Sequence, residues 1–217
     1  MFVPDVYRAP GPGWAVDLLR GHPMAILTTS CESGEPLATH LPVILDESTL
    51  ALGQGETQLE GVTLLGHMNR SNPHWTALAA TSRALLIFQG PQGYVSPAWY
   101  DVVPAAPTWN FTSVHVHVEV TPLPPGEPTL AVVRSTARTL EARFGPGWDQ
   151  SESVDYFRQI VGGVGAFSMT VTAAEGMFKL SQEKNEELRG RVVEALRTRG
   201  LAADHGLADI MSELGTS

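Results

Sequence analysis

The stretch "TWNFTSVHVHVEV", residues 108–120, decides the fold class. Side chains alternate across a strand, so Asn110, Thr112, Val114, Val116, Val118 and Val120 share one face. Trp109, Phe111, Ser113, His115, His117 and Glu119 share the other. The valines mark the core side. The opposite face carries His-x-His-x-Glu, a spacing found in metal-binding ladders and also on solvated or subunit-interface faces. The latter reading is preferred. Trp109 and Phe111 make one end of that face apolar enough to line a flat cofactor or a dimer contact.

Working outward, other short strands separated by turn residues surround this one. "PMAILTTS" (23–30), the turn "CESGEP" and "LATHLPVIL" (37–45) read as a hairpin. A polar, Gly-rich loop (46–61) leads to strand "VTLLGHM" (62–68). "ALLIFQG" (84–90), "PQG" and "YVSP" read as a strand pair with a Gly-Pro interruption, and "GAFSMTVTAAEGMFKL" (165–180) reads as another pair. Helical patterns fall at 12–21, with Trp14, Leu18 and Leu19 as its apolar stripe, at 73–80, 128–144 and 151–161, at about 182–199, and at 204–214. Medium strands with helices inserted predict an α+β chain, a small β-barrel with peripheral helices and a charged helical C-terminal extension at about 182–217. The whole, 1–217, reads as one domain. No repeat or low-complexity segment interrupts it.

Composition narrows the function. The chain has 217 residues, 43% hydrophobic and 17% charged, with 14 Lys+Arg against 23 Asp+Glu and a formal charge of −9. That is an ordinary globular balance and a poor electrostatic partner for nucleic acid. The single cysteine, Cys31, excludes an internal disulfide and any multi-cysteine zinc or iron–sulfur site, and it reads as a spare thiol. With no signal peptide and no run of 18 apolar residues, the chain is expected to be cytoplasmic and not membrane-bound.

The chemistry concentrates in "LLGHMNRSNPHW" (64–75). Asn72 is a good N-cap and Pro73 suits the first helical position. Free N–H groups beyond the cap, with Arg70 and Asn69 nearby, would receive a phosphate or carboxylate, although a plain capped surface helix explains the same residues. His67 ends the apolar strand just before it. A neutral imidazole there is either a ligand for zinc, copper or iron, heme iron included, or a hydrogen-bonded structural residue. His74 is expected to pack or bond locally. In "FKLSQEKNEELRGRV" (178–192), Lys179 stands at a strand end with Ser181 as N-cap, and Lys179 and Gln182 are placed to reach an anion. A capped amphipathic helix also accounts for that segment. No phosphate-binding Gly loop, dinucleotide fingerprint, nucleophile elbow or His-Glu-x-x-His helix is present.

Taken in order, "ATHLP" (38–42), "GHMNRSNPHW" (66–75), "IFQGPQGYVSPAWY" (87–100), "PTWNF" (107–111) and "FKLSQ" (178–182) resemble the FMN-binding negative transcriptional regulators of the PaiB type. That resemblance implies a split β-barrel of the flavin reductase and pyridoxamine-phosphate-oxidase kind, a homodimer with cofactor sites at the subunit interface. "MFVPDVY", "LLGHMNRSNPHW", "VVPAAPTWNFTSVHV", "SVDYFRQIV", "VGAFSMTV" and "AEGMFKLSQEK" further resemble the piperazate synthases, which share this fold and bind heme b. The regulators tend to read Gly-Phe-Glu-Ile after an Ile-Val pair and to carry Ser-Gln-Asn. Here "IVGGVGAFSM" and "SQEK" stand instead.

The synthase resemblance implies conversion of δ-N-hydroxy-L-ornithine, a small amino-acid substrate, to L-piperazic acid with loss of water. It makes His67 the expected axial ligand. Arg70 and Asn72 would suit a heme propionate, as they would suit a flavin phosphate, and Trp109 and Phe111 would pack on the macrocycle. Tyr94, Glu119 and Lys179 are the candidates for substrate contact or proton transfer, some acting across subunits. The alternatives are an FMN-binding regulator, against which stand the acidic balance and the lack of a helix-turn-helix pattern, and a flavin-dependent oxidoreductase, an analogy from fold alone.

Overall fold

In a computed structural model, which describes residues 1–11, 13–30 and 33–214, six antiparallel strands close into a barrel. Cys31, whose thiol the sequence reads as spare, lies outside the described residues. The strands are β1 (Met24–Ser30), β2 (Pro36–Leu45), β3 (Thr63–Asn69), β4 (Arg83–Val95), β5 (Thr108–Pro122) and β6 (Val164–Lys179). Their order around the barrel is β1-β2-β3-β6-β5-β4, and β1 closes on β4 with Ile26 opposite Ile87. Helices α1 (Trp14–Gly21), α2 (Pro73–Ala80), α3 (Glu127–Phe144), α4 (Val154–Ile160), α5 (Glu186–Arg199) and α6 (Ala202–Glu213) pack outside.

β5 is the strand that its alternation predicts. Asn110, Thr112, Val114, Val116, Val118 and Val120 are all buried, and Trp109, His117 and Glu119 are exposed. With Leu27, Leu64, Leu86, Phe88, Phe167 and Phe178 these valines fill the barrel. Burial of such side chains, about 1.5–3 kcal/mol each, is the main term holding the chain together. Ser113 departs from the pattern: it is buried and donates its hydroxyl proton to Phe88 O at 3.0 Å.

Three expectations about elements are corrected. Residues 84–95 are one strand, not a pair, because Gly90 and Pro91 sit in a bulge between Gln89 and Gln92 that shifts the register with β5 and lets the pairing resume at Gln92 opposite Phe111. Residues 165–180 are likewise one strand. "AAEG" does not turn the chain, and a register shift between His117 and Val118 lets β6 run along the whole of β5. Ser181 does not cap the charged helix. It is fully buried at φ +63° and accepts a hydrogen bond from Asn110 Nδ2 at 2.9 Å. The helix starts later, where Asn185 Oδ1 accepts from Leu188 N at 2.9 Å.

The C-terminal extension is locked to the barrel rather than appended to it. Asp204, 1% exposed, accepts from Arg199 Nε at 2.8 Å and from Leu201 N at 3.0 Å. The Arg199 guanidinium also lies 5.0 Å from the Trp99 ring and donates to Tyr94 O on β4. Hydrogen bonding to Arg199 holds the Asp204 carboxyl below its usual range. None of the described helices is long and apolar enough to cross a membrane.

Candidate functional site

His67 sits on the outer face of β3, since Leu64, Gly66 and Met68 point inward. Gly66 is required there because a Cβ would meet the Phe167 ring at 2.6 Å. The imidazole lines a cleft of about 460 Å³ with His40, Leu41 and Pro42 of β2, Asn72, Ile160 at the end of α4, and Val164 of β6. His67 Nδ1 is buried with no hydrogen-bond partner. Burial lowers the His67 pKa below its usual value, so the ring is neutral at physiological pH. An unpaired neutral imidazole in a cleft that mixes apolar Leu41, Pro42, Ile160 and Val164 with polar Thr39, His40, Asn69 and Asn72 has the chemistry of a metal ligand.

The turn after β3 is more self-contained than its sequence suggests. Asn72 caps α2 as expected, accepting from His74 N at 3.0 Å. Asn69 Oδ1 accepts from Ser71 N, Asn72 O from Trp75 N, and Gly163 O from Arg70 N. The N–H groups expected to cradle an anion are therefore occupied within the chain. Arg70 is the group that remains: its Nε is buried without a partner, and it makes no ion pair among the described residues. Its guanidinium lies 5.5 Å from the Trp75 ring, which in turn stacks on Phe167 with centroids 6.2 Å apart. A cation braced in this way and lacking a carboxylate is suited to a propionate or a phosphate.

His74 is structural, as its position in the first helical turn implies. It is 2% exposed, with Thr29 Oγ1 at 2.8 Å from Nε2 and Thr39 Oγ1 at 2.8 Å from Nδ1. Asn72 Nδ2 also donates to Thr39 Oγ1 at 3.3 Å, so this side chain is engaged at both ends.

The remaining candidates lie elsewhere on the barrel. Tyr94 and Trp109 face each other across β4 and β5 with ring centroids 6.3 Å apart, and Trp109 Nε1 donates to Gln92 Oε1. Phe111 pairs with Lys179, whose Nζ donates to Thr108 Oγ1 at 2.6 Å and lies 5.8 Å from the Tyr7 ring. Gln182 is committed to its own turn, accepting from Leu180 N and donating to Phe178 O. His67 is opposite Ala166 and Phe111 is opposite Lys179, so β6 separates the two groups. At about 3.3 Å per residue the path from Ala166 to Lys179 is on the order of 40 Å. Of the candidates, His67 and Asn72 line the cleft; Arg70, on the same turn, is not among its lining residues, and neither are Tyr94, Trp109, Phe111 and Lys179.

Glu119 stands exposed between the two ends, opposite Arg83 and Thr170. Among the described residues no group of three His, Cys, Asp or Glu is placed to hold a metal ion. In the His-x-His-x-Glu face, His115 lies opposite Glu175, which pairs with the Met1 amine. Sequence reasoning passed over His40 of "ATHLP", which the β2–β3 pairing carries to the His67 cleft. Its place depends on a long-range register that local spacing does not reveal.

Comparison with known proteins fits this architecture. The family model described as "Putative FMN-binding domain" matches residues 1–173. "Protease synthase and sporulation protein PAI 2" of Bacillus subtilis (strain 168) is 25% identical over 214 residues, 98% of this chain and 97% of that protein. Among solved structures, a conserved hypothetical protein from Mycobacterium tuberculosis has a TM-score of 0.58 at 9% identity, covering 86% of this chain and 95% of its own. The FAD and heme binding protein from Mycobacterium smegmatis has a TM-score of 0.54 at 13% identity, covering 85% and 76%. These two likenesses support the α+β split-barrel fold.

Proposed function

The chain belongs to the family described as "Putative FMN-binding domain", and from that premise we propose that this member binds heme b and closes the N–N bond of L-piperazic acid from δ-N-hydroxy-L-ornithine. The observation that carries the reading is His67: a neutral, unpaired imidazole on a cleft shared by apolar Leu41, Pro42, Ile160 and Val164 and polar Thr39, His40, Asn69 and Asn72. The motif resemblance to piperazate synthases supplies the substrate. That the Mycobacterium smegmatis neighbour is a FAD and heme binding protein makes either cofactor reasonable for such a barrel.

The residues present fit heme. His67 would hold the iron, and Arg70 would take a propionate. Asn72, already bonded to His74 N and Thr39, would support the turn rather than bind the group directly. When bound, heme supplies a Lewis-acidic iron that weakens the N–O bond of the hydroxylamine. The chain's own tasks are then to exclude water, to fold a flexible diamino acid so that its nitrogens meet, and to keep the α-amine neutral by desolvating the ammonium. Neither an external oxidant nor a reductant is needed, because the N–O bond, in leaving as water, takes up the two electrons released when the two nitrogens join.

A homodimer would complete the site. The end of the barrel that bears Tyr94, Trp109, Phe111 and Lys179 presents exposed apolar surface, with Val103 98% and Trp109 50% exposed. The His67 cleft is open, and Ile160 on its rim is exposed. Placing one copy's aromatic end on the other's cleft would gather the candidates that one chain keeps apart, with Lys179 and Tyr94 reaching the substrate from the second subunit.

A second reading is favoured by the family description itself: FMN in the same place, with its phosphate on Arg70. The absorption spectrum of protein purified from cells given a heme precursor separates the two. A Soret band, followed by formation of piperazic acid from δ-N-hydroxyornithine detected by mass spectrometry, is the expected result. A twin-banded flavin spectrum would replace the cyclase with a flavin-binding function, regulatory or oxidoreductive.

A further inference from the structure

His67 carries a feature that ligation alone does not explain. Its Nδ1 is buried and has no hydrogen-bond partner, although ring nitrogens of metal-bound histidines ordinarily donate to a carboxylate, a carbonyl or water. The residues beside it account for this. On β6 the residue opposite is Ala166, whose methyl accepts nothing. On β2 the pairing ends with Val43 opposite Gly66, and the next residue toward His67 is Pro42. Unpaired imidazoles are not general in this chain, since His74 has a threonine hydroxyl at each nitrogen. Because Nδ1 is already sealed within one chain, neither solvent nor a second copy of the barrel can supply the missing partner. Nε2 is left as the nitrogen open to the cleft.

Resting on the heme reading above, we propose that His67 would hold the iron as an unassisted ligand, through Nε2, with an Nδ1–H that donates to nothing. A hydrogen bond from Nδ1–H makes an imidazole more basic and pushes electron density onto the metal. Without it the ligand is a weak donor, and the iron it holds is electron-poor. Weak donation favours polarising the oxygen or nitrogen of a hydroxylamine. It disfavours peroxide cleavage, which is promoted by strongly donating axial ligands. Ala166 and Pro42 thereby become determinants of reaction type: an alanine and a proline flank the ligand where a carboxylate would turn the same barrel toward oxidative chemistry.

The test is resonance Raman spectroscopy of the ferrous, heme-loaded protein, with the reduction potential measured on the same sample. The iron–histidine stretch is expected at the low-frequency end, where histidines without a strong acceptor lie. Two variants place an acceptor beside the buried edge of the ring, Ala166→Ser and Ala166→Asp, at the β6 position opposite His67. Each is expected to raise the stretch and lower the potential. The measurement on the unsubstituted protein is decisive if either variant folds poorly. A stretch already in the range of carboxylate-bonded histidines overturns the proposal and leaves His67 as a ligand. A loaded five-coordinate ferrous protein with no iron–histidine band overturns His67 as the ligand, whereas a protein that takes up no heme overturns the heme reading itself.

Discussion

Gly165→Ala is the substitution that most sharply joins packing to the site. A Cβ at Gly165 would meet Trp75 Cε3 at 2.5 Å and its Cδ2 and Cζ3 at 2.6 Å, about 1 Å inside ordinary carbon contact. The ring has nowhere easy to go, because Phe167 stacks on it and the Arg70 guanidinium lies 5.5 Å from it. Overpacking of this kind costs about 1–3 kcal/mol. For a chain of this size each kcal/mol lowers the melting temperature by about 2–4 °C, so a loss of about 4–8 °C is expected for a cost near 2 kcal/mol. Displacing Trp75 also removes the cation–π brace on Arg70, worth about 0.5–1 kcal/mol, and weakens cofactor affinity about two- to fivefold. Calorimetry and a hemin titration read the two effects. Gly162→Ala is the control, since a Cβ there meets nothing within 4 Å. If Gly165→Ala melts with the wild type, or if Gly162→Ala loses as much, the packing argument is wrong.

Three further outcomes follow from the same geometry. Burial lowers the pKa of His22, His67, His74 and His115, so the unfolded chain takes up their protons first. Their contribution to stability is complete above the usual histidine value of about 6.5 and is lost as pH falls through the folded values; urea midpoints at pH 8 and pH 5 should show the acidic sample clearly weaker, and equal midpoints would contradict this. Asp204→Asn, which leaves Arg199 without its buried partner and weakens the α6 cap, should cost about 1–3 kcal/mol in urea unfolding after allowing for the exposure of Arg199; a neutral result would mean that the clamp on the C-terminal helices adds nothing. Co-expression of His67→Ala with Lys179→Met should recover part of the cyclase activity that each variant lacks alone, because a mixed dimer keeps one intact pair of half-sites; no recovery would argue against a shared site.

Much of the fold is legible along the chain wherever one period governs. The valine alternation of β5 and the Asn72–Pro73 start of α2 are local signals, and each is found where it is expected. The errors arise where a long-range partner overrides local chemistry. "GPQG" reads as an interruption and residues 165–180 as two paired strands, yet the β5 ladder carries one strand through each of these stretches. Ser181 has the composition of a cap and is drawn inside by Asn110. At the site, the position of His67 at a strand end is visible in sequence. The orphaned Nδ1, the approach of His40 and the separation of Lys179 from His67 all depend on strand register, which spacing along the chain does not encode.

The most direct test is a hemin titration of the wild-type protein beside His67→Ala, followed by absorption and circular dichroism. A Soret band that saturates in the wild type and fails to form in a fully folded His67→Ala protein is the predicted result. An unchanged Soret band in His67→Ala, with piperazic acid still produced, would place the iron elsewhere and contradict the assignment of this cleft.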